Sequence, residues 1–195
     1  MLGRDNNPML DEMNQVLFLV TSRHRTQRSA MIVTWITKAS LGPKRQRLIL
    51  VLSPRNLTTR LLLKSGVFGL SLLGSRQLSW VEHFGARSGS EIDKFKGIER
   101  EFSTSGQSGL PRPKRAISSC EARVESVVST GDRLIVVAKV NSTHRQRGGT
   151  KPDRALRMSD LRRLSPSIRS RLAEKLAADA KLDSKSEIER VILVR

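Results

Sequence analysis

The sequence is poor in the residues that most often announce chemistry. One cysteine, Cys120, stands in 195 residues, which excludes an internal disulfide and a cysteine-rich zinc site and suits a reducing, cytoplasmic interior. Tyrosine is absent and the aromatics number seven, five Phe and two Trp, so platforms for stacking exposed nucleic-acid bases are few. No uncharged run exceeds the 11 residues 65–75, and the opening MLGRDNNPMLDEMNQ is polar. Neither a signal peptide nor a membrane span is therefore expected. The three histidines, His24, His83 and His144, are scattered, and GxGxxG, the Gly-rich loop ending in Gly-Lys-Ser/Thr and HExxH do not occur. Acidic residues are scarce too: 18 Asp and Glu face 36 Lys and Arg, a formal charge of +18.

That charge attracts polyanions at long range without naming a partner. It is spread along the chain, with 24 basic and 11 acidic side chains in residues 1–150 and 12 and 7 in residues 151–195. The length suits one domain with an appendage, here a domain over residues 1–150 and a basic helical segment over 151–195.

The first 150 residues read as mostly β with short helices. Val16–Ser22 and Ser29–Thr37 form a hairpin across the polar break RHRTQR, and RLILVLS (Arg47–Ser53) is apolar enough to be buried on both faces. Leu57, Leu61 and Leu62 share a helical stripe that Gly66 ends. VFGLSLL (Val67–Leu73) is a strand, and Ser75–Gly85 a helix capped by Ser75. Ser90 and Asp93 mark one turn of helix. The Ser, Gly and Pro content of 103–115 reads as a surface loop. Ala116–Val128 and Arg133–Asn141 form a second hairpin across STGD. THRQRGGTKPDR reads as a linker, followed by helix starts at Ser159 and Ser165-Pro166. Ile168, Leu172 and Leu176 then make an amphipathic stripe that needs a surface to lie against. The terminal IERVILVR fits a helical turn or a strand equally well.

One run mixes bulky apolar and small polar groups without a clean face: SAMIVTWITKAS, Ser29–Ser40. Taken with RLILVLS, with TTRLLLKSGVFGLSLL and with EHFGARSGSEIDKF, in that order, it resembles the flavin reductase-like family over about residues 16–141. The resemblance implies an FMN-binding split β-barrel. A flavin ring needs an apolar slot for its faces and polar partners for its pyrimidine edge, and the family lays the segment matching Thr34, Trp35, Ile36, Thr37, Lys38 and Ser40 along the ring. Packing in the core is the other reading of Trp35. Ser53, Arg55, Asn56, Thr58 and Thr59 stand where a strand gives way to a helix, and there the resemblance sets the FMN phosphate and ribityl chain. Asn56 or Thr58 also fits a helix cap. His83, Phe84 and Lys94 fall in the stretch the family closes over the flavin, often across a dimer interface. Lys94 is thereby set within reach of the phosphate, and Phe84 and Phe95 also fit a core.

The family's Pro-Pro pair is replaced here by LGPKRQRLIL, one proline and a basic insertion carrying Lys44, Arg45 and Arg47. The resemblance implies a homodimer that passes hydride from NADH or NADPH to FMN, or to FAD, for an acceptor such as an oxygenase. Catalysis then needs no nucleophile or general base from the chain. Two other readings stay open: an FMN-binding protein without reductase activity, and a non-catalytic basic protein that binds polyanions. On the leading reading nucleic acid binds only non-specifically.

Overall fold

The computed structural model describes residues 13, 15–42, 44–105, 108–145 and 153–183. The chain runs β1 (Phe18–His24), β2 (Gln27–Val33), β3 (Ile36–Lys38), β4 (Arg47–Leu52), α1 (Leu57–Ser65), β5 (Val67–Leu72), α2 (Ser79–Gly85), β6 (Phe102–Ser105), β7 (Leu110–Pro113), β8 (Ser118–Ser129), β9 (Leu134–Arg145) and α3 (Pro166–Asp183). Seven strands form one antiparallel sheet in the order β2-β1-β5-β8-β9-β4-β3, and β6 pairs with β7 as a separate ribbon.

Closure follows from chain reach. β2 and β3 are the two edges of the sheet, yet only Thr34 and Trp35 separate them in sequence. From Val33 to Ile36 an extended chain spans at most about 11 Å, so the sheet must curl until its edges meet. The result is a barrel with one unpaired seam, the mainly β split barrel with short helices that the sequence indicates.

The same geometry corrects the reading of Ser29–Thr37 as one strand. β2 stops at Val33, and β3 pairs with β4 rather than with β1. In an unbroken strand Trp35 would join the inward row of Met31 and Val33. Instead the backbone leaves one edge to start the other, and Trp35 is 49% exposed.

Two cores lie on opposite sides of β1 and β2. Inside the barrel, Val20, Met31 and Val33 pack with Leu50, Leu62, Phe68, Val127 and Val136. Outside it, Leu17, Leu19 and Ala30 pack with Val81, Phe84, Phe95, Leu156 and Leu172. Alternation along β1 sends Leu19 to the outer core and Val20 to the inner one, so β1 is buried on both faces. β4 differs from expectation in this respect. Leu50 and Leu52 point inward and are buried, whereas Ile49 and Val51 on the outer face are half-buried.

Residues 103–115, expected as a loop, contain the β6–β7 ribbon. Leu110, Pro111 and Pro113 are buried and anchor it, and Phe102 opposite Pro113 does the same. The ribbon crosses β5 where Gly69 lies, between β1 and β7: a Cβ there would sit 2.5 Å from Thr21 Oγ1 and 3.8 Å from Pro111 O. α1 ends as anticipated, with Gly66 at φ +69 and its N–H donated to the Leu62 carbonyl.

Residues 154–164 cross the outer core as a strap. The Leu156 N–H donates to Leu73 O at 2.9 Å and its carbonyl accepts from Leu17 N at 2.8 Å. Asp160 holds the strap, accepting from Arg154 at 2.9 and 2.6 Å and from Arg157 N at 2.9 Å. α3 then starts at Pro166 as read, with Ser165 Oγ accepting from Ile168 N at 3.4 Å. Of its stripe, Ile168 and Leu172 reach the outer core, while Leu176 is 51% exposed. Of the linker THRQRGGTKPDR, Thr143, His144 and Arg145 instead continue β9 and Asp153 and Arg154 lead into the strap; residues 146–152, the polar opening apart from Met13 and Gln15, and IERVILVR lie outside the described residues.

Candidate functional site

The seam connection and the loop after it present Thr34 to Ser40. Thr34 and Ile36 are half-buried, with Ile36 packed against the barrel core, while Trp35, Thr37 and Lys38 are exposed. The Trp35 carbonyl accepts from Val51 N at 3.0 Å, pinning the turn to β4, and leaves the indole free to face outward. The Arg133 guanidinium stands 5.6 Å from its ring centroid, close enough for a cation-π contact. Ser40 Oγ accepts from Arg47 N at 2.9 Å and fixes the end of the segment. Of the basic insertion, Arg47 is tied to Glu125 through Nε at 2.5 Å and Nη2 at 3.2 Å. That hydrogen bond holds the Glu125 carboxyl below its ordinary range and the guanidinium above its own. Lys44 and Arg45 stay exposed.

β4 runs from this segment into α1, which brings Ser53, Arg55 and Asn56 onto the same stretch of chain. Asn56 is the N-cap by position, with φ −67° and ψ 131°, but its side chain makes no cap bond. The first turn of α1 holds no acid, so the positive end of the helix dipole is not offset from within the helix. Arg55 is exposed and its Nη2 donates to Asp179 O of α3 at 3.2 Å. Thr58 and Thr59 turn inward, 2% and 0% exposed. Thr58 Oγ1 shares a 2.9 Å hydrogen bond with Ser29 Oγ, and its carbonyl accepts from Ser22 Oγ at 2.8 Å. Thr59 Oγ1 contacts Met31 Sδ at 4.0 Å. At these two positions neither the hydroxyl nor the rest of the residue is left facing outward.

His83, Phe84 and Lys94 are brought together, in the outer core. Phe84 is 1% exposed within a cluster of Trp80, Phe95 and Phe102, and His83 stands edge-on to it. His83 Nε2 lies 2.5 Å from the Lys94 carbonyl oxygen. Lys94 is 6% exposed, and Nζ donates to Phe84 O at 2.7 Å and Ala30 O at 3.1 Å. Burial first, and Lys175 of α3 second, lower its pKa to about 8. In this structure the ammonium braces the 83–95 segment against β2.

Sequence reasoning passed over Arg133. It follows the STGD turn of the second hairpin, and only the curl of the sheet carries that turn to Trp35. The contact of Arg55 with α3 was equally illegible, being set by how the strap aims the helix.

A flavin nucleotide fits what is here. An exposed indole beside Thr34, Thr37 and Lys38 offers an apolar plate with polar neighbours. The acid-free start of α1, with Ser53, Arg55 and Asn56, offers donors and positive charge to a phosphate. Among the described residues no helix is long and apolar enough to cross a membrane.

Comparison with known proteins agrees with this architecture. An FMN-binding protein from Thermus thermophilus superimposes with a TM-score of 0.64 at 24% identity, covering 75% of this chain and 79% of that one. An NADH:FAD oxidoreductase of Streptomyces globisporus, solved with NAD and FAD fragments, does so with a TM-score of 0.66 at 19% identity, over 81% and 90%. At such identities the likeness is one of fold. In sequence, a ferric-chelate reductase (NAD(P)H) of Archaeoglobus fulgidus is 28% identical over 125 residues, 63% of this chain and 71% of that protein. The family described as the flavin reductase like domain matches residues 10–160, most of the chain, and the protein belongs to that family.

Proposed function

We propose that the protein is a homodimeric, cytoplasmic flavin reductase that uses NADH or NADPH to reduce FMN. The observation that carries this reading is the meeting, on a chain of this family, of the exposed Trp35 segment at the barrel seam with the acid-free N-terminus of α1. Flavin, when bound, supplies the redox chemistry by accepting hydride from the nicotinamide. The chain's part is to bind and orient. Thr34, Trp35, Ile36, Thr37, Lys38 and Ser40 hold the ring. Ser53, Arg55 and Asn56 hold the phosphate, and Thr58 and Thr59 support them by fixing the first turn of α1 on β1 and β2. His83, Phe84 and Lys94 keep the closing segment in place from inside. FAD is the alternative flavin, and the related proteins named above support a nicotinamide donor. The acceptor is free flavin used by an oxygenase, or a ferric chelate as the name of the Archaeoglobus relative suggests.

The dimer is supported by the outer face of the sheet. Ile49 and Val51 of β4 stand in register with Val137 and Ile135 of β9, and Val128 of β8 extends the row. All five are half-buried in the single chain. Such a face is apolar enough to be covered by a second copy.

Asn56 separates phosphate binding from structure, since its side chain makes no cap bond whose loss would unsettle α1. FMN and riboflavin share a ring and differ in the phosphate. Asn56→Ala is expected to weaken FMN about 10-fold, read by quenching of flavin fluorescence, and to leave riboflavin unchanged. Equal losses for both ligands would remove the phosphate from this end of α1.

A further inference from the structure

The geometry points to a second anion site, distinct from the flavin segment and built for a small phosphorylated molecule. A cleft of about 280 Å³ opens between the β6–β7 ribbon and the far ends of β8 and β9. Ser103, Arg112 and Lys114 line one wall, Ser119, His144 and Arg145 the other. The sheet puts them there: Ser119 pairs with His144 and Ser118 with Arg145 across β8–β9, while Ser103 pairs with Arg112 within the ribbon. The proposed flavin segment belongs to β3, β4 and the start of α1, on other strands and at another end of the fold.

Three permanent or near-permanent cations therefore converge on one hollow. Among the described residues none of Arg112, Lys114 and Arg145 forms a salt bridge, in contrast to Arg28, Arg47, Arg154 and Arg171, each of which has found a carboxylate. The only acid lining the adjoining narrow recess is Glu121. Like charges held together with no acid between them repel one another, and an anion lodged among them relieves that repulsion. Two guanidiniums and an ammonium match phosphoryl oxygens, which accept several charge-assisted bonds at once. The floor adds apolar surface from Pro113 and Ala116, both buried, for a small organic part. The volume stands at the lower end of ligand pockets, the size of a diphosphate or a sugar phosphate and well short of a dinucleotide.

Inorganic pyrophosphate is the probe, titrated calorimetrically into the full chain at fixed ionic strength. The expected result is saturable one-to-one binding that Arg112→Gln and Arg145→Gln each weaken about 10-fold or more. Arg169→Gln, which removes an exposed cation on α3, is expected to leave it unchanged. Melting temperatures should match the parent's, because neither Arg112 nor Arg145 holds a described side-chain bond. A phosphomonoester such as glucose 6-phosphate, compared with sulfate and with a DNA duplex, tells the ligand source. Stronger binding of either phosphorylated probe than of sulfate supports the site. No saturation, or equal losses in Arg169→Gln, would reduce it to bulk charge. Binding kept in full by both Arg112→Gln and Arg145→Gln would place it elsewhere on the chain, and preference for the duplex would make the cleft part of a polyanion surface; either result overturns the proposal.

Discussion

Lys94 shows how a residue chosen for charge comes to serve by its hydrogen bonds. The family resemblance sets it in a stretch that closes over flavin, and in the structure its amine is turned toward the carbonyls of Ala30 and Phe84. With a pKa lowered to about 8, it sheds its proton in the folded chain well before an exposed lysine at about 10.4. The neutral amine keeps two N–H groups, one for each carbonyl. Between those two values the unfolded chain holds a proton the folded chain has released, so stability is expected to rise with pH across the window of about 8 to 10.4. Urea midpoints measured through that range should climb for the parent and lose that slope in Lys94→Met. A slope kept by the variant would assign the titration to another group. Thr58 and Thr59 teach a similar lesson: spacing put them at a helix start, but their hydroxyls face the core because β1 and β2 lie beneath α1. Residue type was legible from the sequence, and the direction of each side chain depended on packing.

At the scale of elements, local signals served best where a single residue enforces a boundary. Gly66 ends α1 at φ +69, Pro166 opens α3, and both were legible. The break between β2 and β3 was not, because Thr34 and Trp35 are good strand residues. What parts them is barrel closure, a property of strands distant in sequence. The β6–β7 ribbon was hidden for the opposite reason: Gly and Pro suggested a loop, and buried Leu110 and Phe102 override that preference. The strap at 154–164 was legible only as the end of a linker and a helix start at Ser159, since nothing in the sequence pairs Arg154 with Asp160. Their contact yields a prediction. Arg154 above all, with help from Arg157 N and Arg163 and against the cost of burial, lowers Asp160 to about 2. An unfolded Asp titrates near 3.9, so the folded carboxylate contributes stability that is present above that value. It is lost as pH falls from about 4 toward about 2, on the order of 2 kcal/mol. Asp160→Asn is expected to be less stable at neutral pH and to lose less on acidification, read from urea midpoints. An unchanged acid slope would show that the strap is held by Leu156 and the backbone alone.

The whole molecule is a basic split barrel with an apolar outer face on β4, β8 and β9. Near-continuous hydrophobicity in RLILVLS called for burial on both faces, and one chain buries only the inner one. A partner covering Ile49, Val51 and Val137 reconciles the two. Sedimentation at micromolar concentration should report about twice 21.8 kDa. Val137→Glu, which sets a charge in the middle of that face, should return a monomer that keeps its fold. A parent that sediments as a monomer while holding flavin would remove the dimer from the account. The charge of +18, the loudest property of the sequence, proved the least informative about the fold, whereas the order of modest strand and helix signals carried the family. The account's central claim is that the seam and the start of α1 hold flavin for reduction by a nicotinamide nucleotide. It is tested most directly by mixing the protein anaerobically with FMN and either NADH or NADPH while following flavin absorbance. The account predicts bleaching at a rate that scales with protein concentration and falls in Asn56→Ala at subsaturating FMN. Flavin that stays oxidised with both donors, at protein concentrations that bind it, would contradict it.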